Sequence, residues 1–301
     1  MDTISVLVAL DANYLPQLQV LLTSIRLNNP GERVALYLLY SAIPDQGLAA
    51  AEQQCTASGY SFHPVRVDDT LFQDAPSTRQ YPKEMYYRLL AARLLPDTLD
   101  RVLYLDPDIL VINPLRPLWE TDLQGNLFAA AAHTGMTELA NGVNRVRLGS
   151  EGDYYNSGVL LMDLAAGRRG IHPDGLVAYV AEHGKEVLLP DQDLLNALYS
   201  QRILPLEDAL WNYDARNYNN YLLRSGGVYR VRWVMEHTAI LHFCGKAKPW
   251  KPGTSTASAC STSTTPRSPA GCGAWRSSGN QSSGSSGRGR RRCSMGPHSG
   301  R

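Results

Sequence analysis

Apolar residues fall in short dense runs along this chain, separated by stretches with helical spacing. Ile4-Ser-Val-Leu-Val-Ala-Leu10 is almost wholly apolar, the mark of a strand covered on both faces. Pro16 opens a helix that runs to about Asn28, and Asn29-Pro30-Gly31 stops it. The pattern then repeats. A strand at Val34–Tyr40 precedes a helix over Asp45–Ser58, ended by Gly59. A strand at Phe62–Val67 precedes a helix over Lys83–Leu95, ended by Pro96, and a fourth apolar run, Val102–Leu105, follows. Strand and helix alternate, so the sequence predicts an α/β domain with a mainly parallel sheet. Further on, strands are expected at Leu127–Ala132, Val159–Met162, Ile203–Leu206 and Ala239–Phe243. Helices are expected over Thr137–Leu148 and Pro173–His183, and from Pro190 through Ser200 with Asp191 as N-cap.

One break in this pattern carries chemistry. Val102-Leu-Tyr-Leu-Asp-Pro-Asp-Ile-Leu-Val111 sets two acids inside an apolar run. In extended chain residues i and i+2 point the same way, so Asp106 and Asp108 share one target. Pro107 between them suits a strand end. Unpartnered carboxylates there are costly, and two hard oxygen ligands beyond a strand's carboxyl end suit a divalent cation carrying a phosphate. Spacing alone is weak evidence, because Asp191 and Asp193 share it.

Three other stretches are candidates. The turn Leu10-Asp-Ala-Asn-Tyr14 has no glycine, which disfavours a dinucleotide fingerprint. Asp11 and Asn13 suit hydrogen bonds to a base or ribose, and Tyr14 a stacked base; plain turn chemistry explains the first two equally well. Leu241-His242-Phe-Cys-Gly245-Lys-Ala-Lys248-Pro-Trp250 ends a short strand. His242 completes an N,O set suited to Mn²⁺, Gly245 lets backbone approach a phosphate, and Lys248 offers it a charge. Asp191-Gln192-Asp193 opens a helix and either faces a cleft or complements the helix dipole.

Composition narrows the class. No apolar run approaches the roughly 18 residues of a membrane span, and no signal peptide is evident. The net charge of +1 hides an asymmetry. Seven of the 29 basic residues and none of the 28 acids lie after Gly253, so residues 1–253 are acidic by six charges. That argues against a nucleic-acid partner. Residues 254–301 lack Val, Ile, Leu, Phe and Tyr, hold three of the five cysteines, and are mostly Ser, Thr, Gly, Arg and Pro. The expectation is a disordered low-complexity tail, read as an out-of-frame product of a GC-rich gene, with a native disordered extension as the alternative. Cys55 and Cys244 in the body fit a reducing, cytoplasmic setting.

Taken in order, these motifs resemble the retaining glycosyltransferases of family 8, which include bacterial lipopolysaccharide galactosyl- and glucosyltransferases and glycogenin. The resemblance spans about residues 4–252. Ala9-x-Asp11-x-Asn13-Tyr14 is similar to the family's uridine-binding turn. Arg88 resembles its sugar- and phosphate-contacting arginine, and Leu103-Tyr-Leu-Asp106-x-Asp108 its metal motif. Asn156-x-Gly158-Val-Leu-Leu161 resembles the strand with a donor-sugar contact. Asp191-Gln192-Asp193 resembles the reaction-centre segment. His242-x-x-Gly245-x-x-Lys248-Pro-Trp250 resembles the third metal ligand with a diphosphate grip.

The resemblance implies a Rossmann-like, mainly parallel sheet flanked by helices, of the GT-A type, over residues 1–253. It implies UDP-glucose or UDP-galactose as donor and a glycan, lipopolysaccharide or other surface-polysaccharide acceptor. Mn²⁺ or Mg²⁺ would be held by Asp106, Asp108 and His242. Gln192 would sit at the anomeric carbon, with Asp191 and Asp193 on sugar hydroxyls, and configuration would be retained. His133 stands where the lipopolysaccharide galactosyltransferases carry an acceptor-contacting Asp. Membrane contact would be at most peripheral, at the inner face. One alternative is a catalytically impaired UDP-sugar-binding protein. A more distant one is a phosphatase of the haloacid-dehalogenase type, which puts its Asp-x-Asp on the first strand and has Thr or Val where this chain has Leu110.

Overall fold

The structure, a computed structural model, describes residues 2–68, 84–132, 137–150, 152–184, 187–246 and 248–251, with side chains in the helix Thr137–Leu148 described from 142 onward. His133, Lys83 and the 254–301 tail lie outside the described residues.

Ten strands are described: β1 (Ile4–Ala9), β2 (Val34–Tyr40), β3 (Ser61–Arg66), β4 (Arg101–Leu105), β5 (Ile109–Val111), β6 (Phe128–Ala131), β7 (Val159–Asp163), β8 (Ile203–Leu206), β9 (Tyr213–Asp214) and β10 (Ile240–His242). Seven form one sheet in the order β3-β2-β1-β4-β7-β6-β8. β1, β2, β3 and β4 run parallel, β7 runs against both β4 and β6, and β8 is parallel to β6. The sheet is therefore mainly parallel with one reversed strand.

The apolar runs have the cause inferred for them. Successive side chains alternate between faces. Ile4, Val6 and Val8 join one core with the helix Leu15–Asn28, while Leu7 and Ala9 join a second core across the sheet. β4 splits the same way, Leu103 and Leu105 against Val102 and Tyr104.

Two placements differ from expectation. The single helix expected over Lys83–Leu95 is broken, with helical turns at Glu84–Tyr87 and Ala91–Leu94 flanking a 3₁₀ turn at Arg88–Leu90. Ala239–Phe243 shortens to β10 and joins a separate three-stranded sheet, β5-β10-β9. Pro107 is where the chain leaves one sheet for the other: β4 ends at Leu105 and β5 starts at Ile109. β5 is fastened to the first helix, because Val111 N donates to Ser24 Oγ at 3.1 Å and Asn28 Nδ2 donates to Val111 O at 2.9 Å.

The order of the sheet positions the site. The chain runs outward from β1 through β2 to β3, then returns to place β4 on the other side of β1. Ligands of open α/β sheets bind at such a reversal, beyond the strands' carboxyl ends. Ala9 and Asp106 lie there.

Candidate functional site

A cavity of about 360 Å³ opens at this reversal. Ala9, Asp11 and Tyr14 line it from the end of β1, and Asp106 and Asp108 from the end of β4. Asn156 enters ahead of β7, while Arg88, Asp191 and Gln192 form the helical wall. His242, Gly245 and Lys248 close it from the small sheet. Asn13 and Asp193 are not among the lining residues. Asn13 donates its backbone N–H and its amide to the two oxygens of Asp11, at 2.9 and 3.0 Å, which is the turn chemistry weighed for this pair.

Two acids and an imidazole separated by more than a hundred positions meet here. Candidate ligand atoms of Asp106, Asp108 and His242 lie within 4.8 Å of one another. The small sheet does this work. His242 pairs with Ile109 across β10 and β5, and Phe243 N donates to Asp108 O at 3.1 Å. Each carboxylate has one oxygen held by the protein and one turned toward the imidazole. Asp106 Oδ1 accepts from Tyr104 Oη at 2.7 Å and meets Arg88 Nη1 at 2.8 Å, while its Oδ2 lies 3.6 Å from His242 Nε2. Asp108 Oδ2 is paired with Lys248 Nζ, while its Oδ1 lies 3.2 Å from His242 Nε2. His242 Nδ1 is 2.9 Å from Asn212 Oδ1; with the proton on Nδ1, that bond leaves Nε2 as a ligand atom.

The electrostatics follow from burial. Burial works to raise the Asp108 carboxyl, but His242 and Lys248 outweigh it and hold the group well below the usual carboxylate range. Asp191 goes the other way: its complete burial raises it despite Arg88 and the Ser157 hydroxyl. Gly158 makes the packing possible. A Cβ there would overlap His242 Cε1 and sit 2.7 Å from Asp106 Oδ2.

The helical wall is wired to this centre. Arg88 is buried; besides Asp106, its Nη1 lies 3.2 Å from Asp191 Oδ2 and donates to Ser157 O at 2.9 Å. Asp191 also accepts from Ser157 Oγ at 2.5 Å. It does not cap its helix, Pro190–Tyr199, contrary to the expectation above. Asp193 instead ties down the segment leading into the helix, its Oδ2 accepting from the N–H groups of Leu188 and Leu189 at 2.7 and 3.0 Å. Asp193 is fully buried, and its Oδ1 takes Arg147 Nη2 at 2.7 Å and Tyr154 Oη at 2.5 Å. Gln192 Oε1 accepts from Asn156 Nδ2 at 2.9 Å. Asn156 Oδ1 in turn accepts from Gly158 N and Asn212 Nδ2, both at 2.9 Å. One chain of amides thus ties Gln192 to His242.

Removing Arg88 would strand two acids. Arg88→Met is expected to lower folding stability by about 3–5 kcal/mol, read from urea unfolding, because a buried charge loses its partner. A loss under about 1 kcal/mol would mean that water reaches Asp106 and Asp191 freely.

Sequence reading missed several of these residues. Tyr104 carried a usable signal, a hydroxyl two positions before Asp106 on the same strand face. Asn212, Ser157 and Arg147 carried none, since each meets its partner only through the tertiary fold.

Comparison with known proteins accords with this geometry. The family described as Glycosyl transferase family 8 matches residues 5–253. General stress protein A of Bacillus subtilis (strain 168) is 29 % identical over 252 residues, covering 81 % of this chain and 86 % of that protein. Lipopolysaccharide 1,2-glucosyltransferase of Escherichia coli (strain K12) is 28 % identical over 258 residues, covering 83 % and 73 %. Among solved structures, the galactosyltransferase LgtC in complex with donor and acceptor sugar analogs shares the fold, with a TM-score of 0.73 at 24 % identity over 87 % of this chain and 98 % of that one. The phosphatase alternative falls, because the glycosyl transferase family 8 match covers the whole body of the chain and the acid pair follows the fourth strand, not the first. The shared fold and the match from β1 to the end of the small-sheet segment make this chain a glycosyltransferase, a member of glycosyl transferase family 8.

Proposed function

We propose that this glycosyltransferase moves a hexose, glucose or galactose, from a UDP-sugar to a glycan, lipopolysaccharide or other surface-polysaccharide acceptor. The reading gives the reaction a divalent cation and retention at the anomeric carbon. One observation carries it: two carboxylates and an imidazole converge beyond the carboxyl ends of β1 and β4, on the wall of the cavity that Asp11 and Tyr14 also line. The relatives in Escherichia coli, named as lipopolysaccharide 1,2-glucosyltransferases, support the acceptor class. Among the described residues no helix is long and apolar enough to cross a membrane, which suits the cytoplasmic, at most peripheral placement proposed here. The proposed catalytic domain is residues 1–253, with 254–301 as an appended tail.

The donor set fits a cation. Asp108 Oδ1 is buried and accepts no hydrogen bond, an arrangement that costs free energy unless something cationic meets it. Two carboxylate oxygens and one imidazole nitrogen suit Mn²⁺ or Mg²⁺, and the nitrogen favours Mn²⁺. Bound by Asp106, Asp108 and His242, the ion would supply Lewis-acid neutralisation of the departing diphosphate.

The chain's own residues supply the rest. Lys248, pinned by Phe243 O at 2.6 Å, adds a positive charge to the same wall, and Gly245, at φ 76°, keeps its backbone bare. Asp11 and Tyr14 lie where uridine would be held, with Ala9 behind them. As the anomeric C–O bond breaks, its electron pair stays on the phosphate oxygen. The acceptor hydroxyl bonds to the same face of that carbon and passes its proton to the departing phosphate. Gln192 is fixed by Asn156 at the sugar, and Asp191 faces the hydroxyls. A carboxamide is a weak nucleophile, so no covalent intermediate is invoked; the paired-carboxylate rule of glycosidases does not transfer.

The test is hydrolysis of UDP-glucose and UDP-galactose with Mn²⁺ and again after EDTA. No turnover, together with no thermal shift from UDP plus Mn²⁺, would overturn the reading. In the same assay Gln192→Ala is expected to lower kcat by about 10- to 100-fold with little change in donor affinity. A rise in KM alone would make Gln192 a binding residue only.

A further inference from the structure

Among the described residues, three Arg and Lys side chains line the cavity, and two of them are spent inside the protein. Arg88 serves Asp106, Asp191 and Ser157 O, and Lys248 serves Asp108 and Phe243 O. Arg216 is built differently. Asp214, fully buried, grips its Nε at 2.9 and 3.2 Å and its Nη2 at 2.6 Å, and accepts its backbone N–H at 3.0 Å. The side chain is 45 % exposed even so. Its Nη1 takes no part in that grip and lies over Gly245, where an added Cβ would come 2.5 Å from it.

The small sheet explains the placement. Across β9 and β10 Asp214 pairs with His242, just as Ile109 does on the other side. Asp108, His242 and the Asp214–Arg216 pair therefore stand side by side along one rim. Asp214 is one strand spacing from His242, roughly 5 Å, and Arg216 follows it in the turn after β9. It faces the cation-binding acids from the side opposite Asp108's own strand.

We propose that Arg216 is a phosphate-binding residue. Its Nη1 edge holds an oxygen of the outer phosphate of the nucleotide diphosphate, the phosphate that keeps the electron pair when the sugar leaves. The assignment rests on the nucleotide-diphosphate donor proposed above. A guanidinium already oriented by a buried carboxylate donates to a developing charge without reorganising first. A role confined to bracing the turn after β9 would use the Asp214 contacts and would leave binding of the outer phosphate untouched.

The experiment titrates the full chain with UDP, UMP and uridine, each with Mn²⁺, by calorimetry. Arg216→Lys keeps a cation on Asp214 but lacks the second N–H edge. Arg216→Gln combined with Asp214→Asn removes both charges, so neither is stranded. In both proteins UDP affinity is expected to fall about tenfold while UMP and uridine affinities stay within about twofold. The kcat/KM for UDP-sugar hydrolysis should fall at least as far. UDP and UMP weakening together, or neither moving, overturns the role of Arg216. If the unaltered protein binds neither UDP nor UMP, the donor reading itself falls, which is a separate result from unaltered UDP binding in the variants.

Discussion

Asp108→Asn is expected to lower Mn²⁺-stimulated hydrolysis of UDP-sugar by about a thousandfold or more. The carboxylate is the centre's hinge point: Oδ2 is committed to Lys248, while Oδ1 is buried without a hydrogen bond beside His242 Nε2. An amide keeps the shape but carries no charge, and its NH₂ would turn toward either a lysine or the cation. The loss should persist at saturating Mn²⁺, because weaker binding is only part of it; the ion that does bind would be poorly placed. Unchanged turnover at saturating Mn²⁺ would rule out the metal assignment. A Mn²⁺ titration followed by electron paramagnetic resonance separates lost binding from lost chemistry, and the melting curve reports the cost of leaving Lys248 without its anion.

Gly158→Ala comes next in size and tests packing. The new methyl would overlap the imidazole ring and press on the Asp106 carboxylate, both of which are candidate ligands. Neither can yield easily. Asp106 is held by Tyr104 and Arg88, and His242 by Asn212. Asp106 N also donates to Gly158 O at 2.8 Å, which fixes the two backbones. The expected result is a fall in Mn²⁺ affinity of about tenfold or more, activity down about a hundredfold, and a stability loss of about 1–3 kcal/mol. Calorimetric Mn²⁺ binding and thermal melting read the two effects separately. Full Mn²⁺ affinity in a stably folded variant would mean that the ligands do not meet as described.

Much of the fold was written in the pattern of apolar runs, because strands covered on both faces have little room for polar residues. Direction was not written there. Val159–Met162 reads the same whether it runs with its neighbours or against them, so the reversal of β7 emerges only from pairing. The Lys83–Leu95 segment has good helical spacing, yet it bends at Arg88–Leu90, where Arg88 reaches Asp106 and Asp191. The small sheet was hidden for another reason. β9 is two residues long, and β5 continues the apolar run of β4 with only Pro107 to mark the change. Candidate ligands were visible as acids and an imidazole in unusual surroundings. The amide that orients His242 was not, since Asn212 is an ordinary loop residue until the fold joins it to Asn156, which the family resemblance alone had singled out.

The reversed strand has a consequence for divergence. Parallel strands reach the ligand-bearing rim as they exit the sheet, but β7 reaches it on entry. Tyr154, Asn156 and Ser157, which lead into β7, therefore build one side of the mouth without belonging to any crossover. Lengthening or shortening that approach reshapes the opening while leaving the register of all seven strands intact. In such an architecture the opening can vary at one approach while Asp106, Asp108 and His242 stay held at three strand termini.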